Sequence, residues 1–173
     1  MKDILIQAVG LAGTLLFFLS YQFRNNRTLF RAQFLSYLLY TAHLLLLGAV
    51  TGGVSYCINT FRSLCLASGK KALTGRKMCA AICLAQVAAL VLTWEGAISA
   101  LPVAANIAST IAGYTDDQRK IRFAGMFINS PLWIVYDIIS GSLAGILDEV
   151  VTEISLVISL FRFREKAGDG EKK

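Results

Sequence analysis

The sequence predicts an all-α polytopic membrane protein with seven transmembrane helices, and two observations lead to this prediction. Residues of the AVILMFWYC set make up 55% of the chain and charged residues 16%, whereas a typical soluble domain has about 25% charged residues. The charged residues also cluster between long apolar runs, which is the pattern of membrane spans of roughly 20 residues. We therefore expect the lipid bilayer to be the main partner of this chain.

Seven apolar segments have the length and character of membrane spans. Their predicted limits are 4–21, 33–50, 52–66 with a continuation through 68, 77–93, 98–114, 123–140 and 143–161. The first segment is interpreted as a retained span, because no small-residue cleavage site follows it. Gly and Ser residues at 48–53 and 140–142 predict tight turns, so the helices on either side are expected to be antiparallel neighbours.

The positions of Lys and Arg predict the orientation of the chain. All 17 basic residues except Lys2 fall on one side of the membrane if there are seven spans. Positively charged loops remain in the cytoplasm, so we expect an external amino terminus and a cytoplasmic carboxyl terminus. The last segment, 165–173, is polar and is predicted to be a disordered tail.

A weak internal repeat indicates two related units. A shift of 93 residues aligns Tyr21 with Tyr114, Tyr40 with Trp133, His43 with Tyr136, Gly48 with Gly141 and Gly52 with Gly145. Because each unit has three helices, an odd number, a fourth helix must carry the chain back before the second unit starts. We therefore predict two parallel three-helix bundles, 1–69 and 96–164, joined by a linker helix in 70–95. Small residues in helix four would allow close packing, including packing in a homo-oligomer.

The chain resembles the YgjV family of bacterial inner membrane proteins. The resemblance covers nearly the whole chain and rests on the segments LSYQFRNN, GAVTGG, INTFR, WEGAISALP, SPLWIVYDIISGS and LFRFR. It implies a multi-pass protein of the inner membrane, with a periplasmic amino terminus given the orientation above. It does not imply an activity.

A more distant resemblance, to PQ-loop and SWEET-type transporters, rests on the three-one-three helix count and the orientation. Members of that group bind solute between the bundles, against an Asn on the third helix and an aromatic or small residue on the second. The resemblance implies these roles for Asn59 and Trp133. The chain has Tyr21 and Tyr114 where that group has the proline of its Pro-Gln pair, so the hinge prolines of the group are missing.

Polar residues inside helix three define the candidate site. Asn59 and Arg62 need partners there, since a buried cation in a membrane helix costs about 2.5 to 3.5 kcal/mol. At a rise of about 1.5 Å per residue, Glu153 lies at a similar depth in helix seven, so we expect an ion pair between Arg62 and Glu153.

Two interpretations of this site remain open. In the structural one, the ion pair only locks the two bundles together. In the functional one, a central cavity binds a small polar, sugar-like solute between a polar floor and an aromatic wall. The floor would consist of Asn59, Arg62, Thr152 and Glu153, and the wall of Tyr40, His43, Trp133 and Tyr136.

A proline, three acidic residues and the histidine have further predicted roles. Pro131 removes a backbone hydrogen bond inside helix six and is the predicted hinge. We expect Asp137, Asp148 and Glu149 to be solvated at the membrane interface, with a vestibule that attracts cations as the alternative. His43 is expected to be a packed polar residue, with proton transfer as the alternative.

Composition argues against several classes of function. His43 is the only histidine, so no zinc signature can be assembled, and Cys79 and Cys83 are interpreted as packing residues rather than a metal or redox pair. The net charge of +6 arises at helix ends rather than on one face, which argues against nucleic acid binding. We expect no cofactor and no enzymatic activity, because no nucleophile, base and metal converge.

Overall fold

The computed structural model describes residues 2–46, 50–94, 96–140 and 143–170, and these residues form helices and connecting turns without a strand. A 3₁₀ turn, Ala97–Ser99, precedes α5, and a π-helical turn, Gly125–Asn129, joins α6 to α7 so that the two form one rod. The helices are α1 Lys2–Ser20, α2 Asn26–Leu46, α3 Val50–Ser68, α4 Arg76–Leu92, α5 Ala100–Gly113, α6 Gln118–Ala124, α7 Ser130–Ser140 and α8 Leu143–Gly170. The prediction of an all-helical chain with seven helical rods is therefore confirmed for the described residues.

Two helices begin earlier than hydropathy predicts, because polar residues cap them. The Asn25 side chain accepts a hydrogen bond from the Arg27 backbone N–H at 2.8 Å, and α2 starts at the next residue after this cap. The Asp117 carboxylate accepts from the backbone N–H groups of Arg119 and Lys120, and α6 starts directly after it. The first turns of both helices are polar, so a search for apolar windows does not include them.

The carboxyl-terminal helix is longer than predicted. α8 continues to Gly170 and so includes most of the segment 165–173, which was predicted to be disordered. Glu165, Lys166 and Ala167 in this stretch all favour helix. The predicted turns at 48–53 and 140–142 include residues 48, 49, 141 and 142, which lie outside the described residues. In the part of the chain that the structure describes, none of the helices has both the length and the apolar character needed to cross a membrane.

The helices pack in two sets that meet at several places. α2 packs against α1 and α3, and the α6–α7 rod packs against α5 and α8. Between the sets, α1 contacts α8 and α3 contacts α5, while α4 lies against both α3 and α5. The division into bundles at 1–69 and 96–164 stays a prediction, but these contacts define the surfaces at which the two sets meet.

Two glycines allow a close contact between α1 and α2. A Cβ atom added at Gly10 would lie 3.0 Å from the ring of His43, and one added at Gly13 would lie 3.2 Å from the ring of Tyr40. Glycine at these two positions therefore lets the ring side chains of α2 lie directly on the α1 backbone. This packing fixes the position of Tyr40 at the centre of the molecule.

Candidate functional site

A small cavity lies between the two sets of helices. Its volume is about 10 Å³, roughly the space that one water molecule needs. Every helical rod except α4 contributes to its wall, which consists of Phe17, Tyr37, Tyr40, Tyr56, Asn59, Asn106, Asn129, Trp133, Asp148 and Glu149. Of the predicted site residues, the cavity brings together Tyr40, Asn59 and Trp133.

A line of aromatic rings crosses from the first set of helices to the second beside this cavity. The ring of Tyr56 stacks on Tyr40 with 5.0 Å between centroids and lies 5.9 Å from the ring of Trp133. Trp133 in turn contacts Tyr136 edge-to-face at 5.7 Å. Such pairs each contribute about 0.5 to 1.5 kcal/mol beyond burial of their area. Tyr56 connects the predicted residues Tyr40 and Trp133.

A chain of buried amides reaches the cavity from the opposite side. Gln86 on α4 donates to the Asn59 Oδ1 at 3.2 Å, and Asn59 donates to the Asn106 Oδ1 at 3.1 Å. The chain ends at the Asn106 Nδ2, which has no hydrogen-bond partner among the described residues although only 2% of Asn106 is exposed. A buried amide N–H without a partner costs about 1 to 3 kcal/mol, so this donor is available to a molecule in the cavity.

Two carboxylates of α8 are buried at the cavity, contrary to the prediction that they are solvated. Asp148 is 8% exposed and Glu149 is 6% exposed. The Tyr40 hydroxyl donates a hydrogen bond to the Asp148 Oδ1 and also bonds to the Thr14 hydroxyl. The prediction failed because it placed α8 from its sequence ends alone, whereas the contact between α1 and α8 turns this part of α8 inward. The side chain of Asp137 lies outside the described part of the structure.

Arg62 does not form the predicted ion pair with Glu153. In the described structure the Arg62 guanidinium donates to the Tyr37 hydroxyl at 3.3 Å and to the Thr110 hydroxyl at 3.4 Å, and it lies 5.6 Å from the centroid of the Tyr37 ring. The half-buried Glu153 lies beside Ser130. The reason is geometric, since the face of α3 that carries Arg62 points to α5 and not to α8.

Four further predicted residues lie beside the cavity rather than in its wall. His43 is packed between α1 and α2, where its Nδ1 bonds to the Ile6 carbonyl at 2.8 Å. Thr152 is buried on α8, and Tyr136 lines a second void of about 30 Å³ on the far side of Trp133. Pro131 is exposed and lies two residues after the end of the π-helical turn, so the helix is irregular next to the predicted hinge. The functional roles of all four stay predictions.

A second buried cation fastens one end of the molecule. Arg122 donates to the main-chain carbonyls of Tyr21 and Phe23 at 3.1 Å each and to the Ser159 hydroxyl at 3.0 Å. These bonds tie the end of α1 to α6 and α8. The neighbouring loops also bond each other, since the Asn26 side chain donates to the carbonyl and carboxylate of Asp116.

Sequence reasoning missed several residues of the site, and three of them carry a signal in the sequence. Tyr56 lies three residues before Asn59 and therefore on the same helical face. Asn106 is a polar residue within an otherwise apolar helix, four residues before Thr110, so the two face the same neighbour. Gln86 is likewise a polar residue within an apolar helix, α4, which was interpreted only as a linker.

The described residues contain no group of three or more His, Cys, Asp and Glu side chains that could hold a metal ion. Cys57, Cys65, Cys79 and Cys83 are all free thiols. The chemistry that the site offers is hydrogen bonding and aromatic contact. It combines a free amide donor, carboxylate acceptors and an aromatic wall.

Comparison with known proteins identifies the family of this chain. A family model described as a bacterial inner membrane protein, that of the YgjV family, matches residues 4–167. No curated protein and no solved structure matches the chain. The match extends over all of the helices that form the cavity and over both buried arginines. The chain therefore belongs to the YgjV family of bacterial inner membrane proteins.

Proposed function

We propose that the protein binds a small polar solute in the central cavity and passes it across the inner membrane. The observation that carries the proposal is the free Asn106 Nδ2 at the end of the buried amide chain, in a wall that also contains Asp148 and Glu149. Sites for small polar molecules combine an aromatic lining with a few converging hydrogen-bonding groups. A sugar-like solute, with apolar ring faces and several hydroxyls, suits both parts of this wall.

Trp133 is the proposed gate of the pathway. It lines both the central cavity and the second void, which lies where α3 and α5 begin and α4 ends. Movement of this single ring would join the two spaces. The volume of the central cavity, about 10 Å³, is too small for a sugar, so this conformation corresponds to a closed state.

The proposed mechanism is a rocking of one set of helices against the other, as in transporters built from two parallel repeats. In the proposed topology seven membrane-spanning helices place the amino terminus in the periplasm and the carboxyl terminus in the cytoplasm. The rocking would break and remake the side-chain bonds between α3 and α5. No catalytic step and no cofactor are part of the proposal.

A structural role is the second candidate, and one observation favours it. The polar side chains at the centre already bond to one another, as in the chain from Gln86 through Asn59 to Asn106. In this case the buried polar groups would only hold the helices in register, and the protein would serve as a scaffold for another membrane protein. The two candidates differ in whether the protein takes up a solute or is stabilised by it.

Uptake into proteoliposomes tests the proposal, with a panel of radiolabelled monosaccharides and polyols. We expect uptake by the parent protein of at least one solute, and a decrease of at least tenfold in Asn106→Ala and Trp133→Ala. Thr41→Val is the matched control, because Thr41 does not line the cavity and, among the described residues, its hydroxyl bonds to the Tyr37 carbonyl and the Thr60 hydroxyl. This variant should retain parental uptake.

Two results would overturn the assignment. Uptake that neither Asn106→Ala nor Trp133→Ala reduces would show that the solute takes another path. A parent protein that takes up no solute of the panel, and whose thermal unfolding no solute shifts, would favour the structural role.

A further inference from the structure

A large open groove lies far along the helices from Trp133, where α5 ends and α6 begins. Its volume is about 1360 Å³, above the roughly 300 to 1,000 Å³ of pockets for drug-sized molecules. The carboxyl-terminal part of α8 forms its other wall. The groove shares no lining residue with the central cavity, so it is a separate feature of the molecule.

The walls of the groove are apolar and unusually open. Ile111 on α5, Phe123 on α6 and Phe161 on α8 line it and are 54%, 59% and 65% exposed. Val157 and Ile128 line it as well and are 41% and 38% exposed. Three helices thus surround one concave apolar surface.

One end of the groove is basic. Arg24, Arg119 and Lys120 line this end, and all three are exposed. One acid, Asp117, lies among them, and it accepts hydrogen bonds from the backbone of Arg119 and Lys120 and lies 4.0 Å from the Lys120 Nζ. Three exposed cations against one carboxylate leave a net positive rim.

Arg122 lies beneath this rim and contributes in a different way. Its guanidinium donates to the Ser159 hydroxyl and to the carbonyls of Tyr21, Phe23 and Gln118. These bonds hold the loop after α1 against α6 and so keep Arg24 close to Arg119 and Lys120. The basic rim is therefore formed by two parts of the chain, the loop after α1 and the start of α6.

We infer that the groove binds an anionic phospholipid, with its phosphate at Arg24, Arg119 and Lys120 and an acyl chain along Ile111, Phe123 and Val157. The charges are complementary, because a phosphodiester is an anion that exposed Arg and Lys side chains bind. The order of groups also matches. The groove has a basic end followed by apolar walls, and a phospholipid has an anionic headgroup followed by apolar acyl chains. Basic pockets at the cytoplasmic ends of membrane helices bind anionic headgroups in this way.

Thermal unfolding of the purified full-length protein in a neutral detergent tests this inference. Dioleoylphosphatidylglycerol should raise the unfolding temperature by several degrees, while dioleoylphosphatidylcholine and inorganic phosphate at the same concentrations should not. The double variant R119Q/K120Q should need about tenfold more phosphatidylglycerol for half of the shift. The matched control is R76Q/K77Q, which removes two exposed cations from the first turn of α4, outside the groove.

A second variant tests the apolar part of the site. Ala108→Phe adds a ring to the wall of the groove and leaves the rim intact, so it should also weaken the response to phosphatidylglycerol. Both variants are compared with the parent without lipid, so a change in folding alone is seen as a shifted baseline.

Several outcomes would overturn the inference. Equal stabilisation by both lipids would show an ordinary apolar surface, and stabilisation by inorganic phosphate alone would show a site for a free anion. A response that R119Q/K120Q leaves unchanged would place the lipid elsewhere, and a dimer with no response to phosphatidylglycerol would make a second copy of the chain the occupant. The binding assay needs no transport, so its failure would leave the central cavity proposal untouched.

Discussion

The two buried arginines, Arg62 on α3 and Arg122 on α6, are held in very different ways. Both are almost fully buried, at 3% and 2% exposure. Arg122 donates to main-chain carbonyls of Tyr21 and Phe23, at 3.1 Å each. Arg62 donates only to the hydroxyls of Tyr37 and Thr110, at 3.3 and 3.4 Å, and its Nε has no partner among the described residues.

This difference indicates where the molecule can move. A main-chain carbonyl at a helix end has a fixed position, so Arg122 fastens α1, α6 and α8 firmly at one end. A hydroxyl rotates and changes partner at little cost, so the Arg62 contacts can break and reform. We therefore expect rocking to take place between α3 and α5, with the end around Arg122 as the fixed point.

The largest effect is expected for Arg122→Met. The substitution leaves the Tyr21 and Phe23 carbonyls without their donor in a buried place, and each such group costs about 1 to 3 kcal/mol. The expected loss is about 3 kcal/mol in the free energy of unfolding, measured by denaturant titration in detergent. Arg122→Lys is the control and should recover only part of it, since Lys lacks the planar fork of donors. A loss below about 1 kcal/mol would mean that Arg122 does not fasten this end.

A much smaller effect on stability is expected for Arg62→Met. The partners of Arg62 are hydroxyls, which can rotate toward other partners when the guanidinium is removed, so the substitution leaves little buried polar surface unsatisfied. The change in unfolding free energy should stay below about 1 kcal/mol in the same titration. A loss as large as that of Arg122→Met would remove the contrast between the two sites.

The amide pair between α3 and α5 should show measurable coupling. In a double-mutant cycle of Asn59→Ala and Asn106→Ala, we expect a coupling free energy of about 1 kcal/mol, since the hydrogen bond is direct and buried. The same cycle between Asn59→Ala and Ser155→Ala is the control and should show none, because Ser155 bonds to Gln22 and to the Phe18 carbonyl. Equal coupling in both cycles would contradict the separation of the two interfaces.

The smallest effect is expected for Thr110→Val, which removes one acceptor of Arg62. The bond that is lost is long and neutral on one side, so the expected cost is about 0.5 kcal/mol. Ser159→Ala is the counterpart at Arg122 and should cost about twice as much, because its bond of 3.0 Å is shorter. If the order of the two costs were reversed in denaturant titrations, the assignment of the loose and the fixed end would be reversed too.

The fold could be predicted from the sequence to a large extent, because the helices follow from apolar runs and turn residues. The polar helix starts at Asn26 and Gln118 could not be found by hydropathy, since side-chain caps define them and not apolar character. The π-helical turn before Pro131 was predicted only as a kink, because the sequence indicates a missing donor but not how the helix absorbs it.

The candidate site could be predicted only in part, and Arg62 shows why. Its need for a partner follows from the sequence, but the identity of the partner depends on which face of α3 meets which helix. Similar depth in the helices suggested α8, whereas Asn59 and Arg62, three residues apart on α3, bond to Asn106 and Thr110, four residues apart on α5. Burial of Asp148 likewise depends on the rotation of α8 about its axis, which sequence periodicity in a largely apolar helix does not fix.

The π-helical turn Gly125–Asn129 changes the direction in which the side chains of α7 point relative to those of α6. A π turn holds one residue more than an α turn, and one residue corresponds to about 100° of rotation. α6 and α7 therefore present faces that differ by this angle from those of a continuous α-helix. Deletion of one residue in the turn would restore a regular helix and swing Trp133 away from Tyr56, so this extra residue sets the direction in which the proposed gate points.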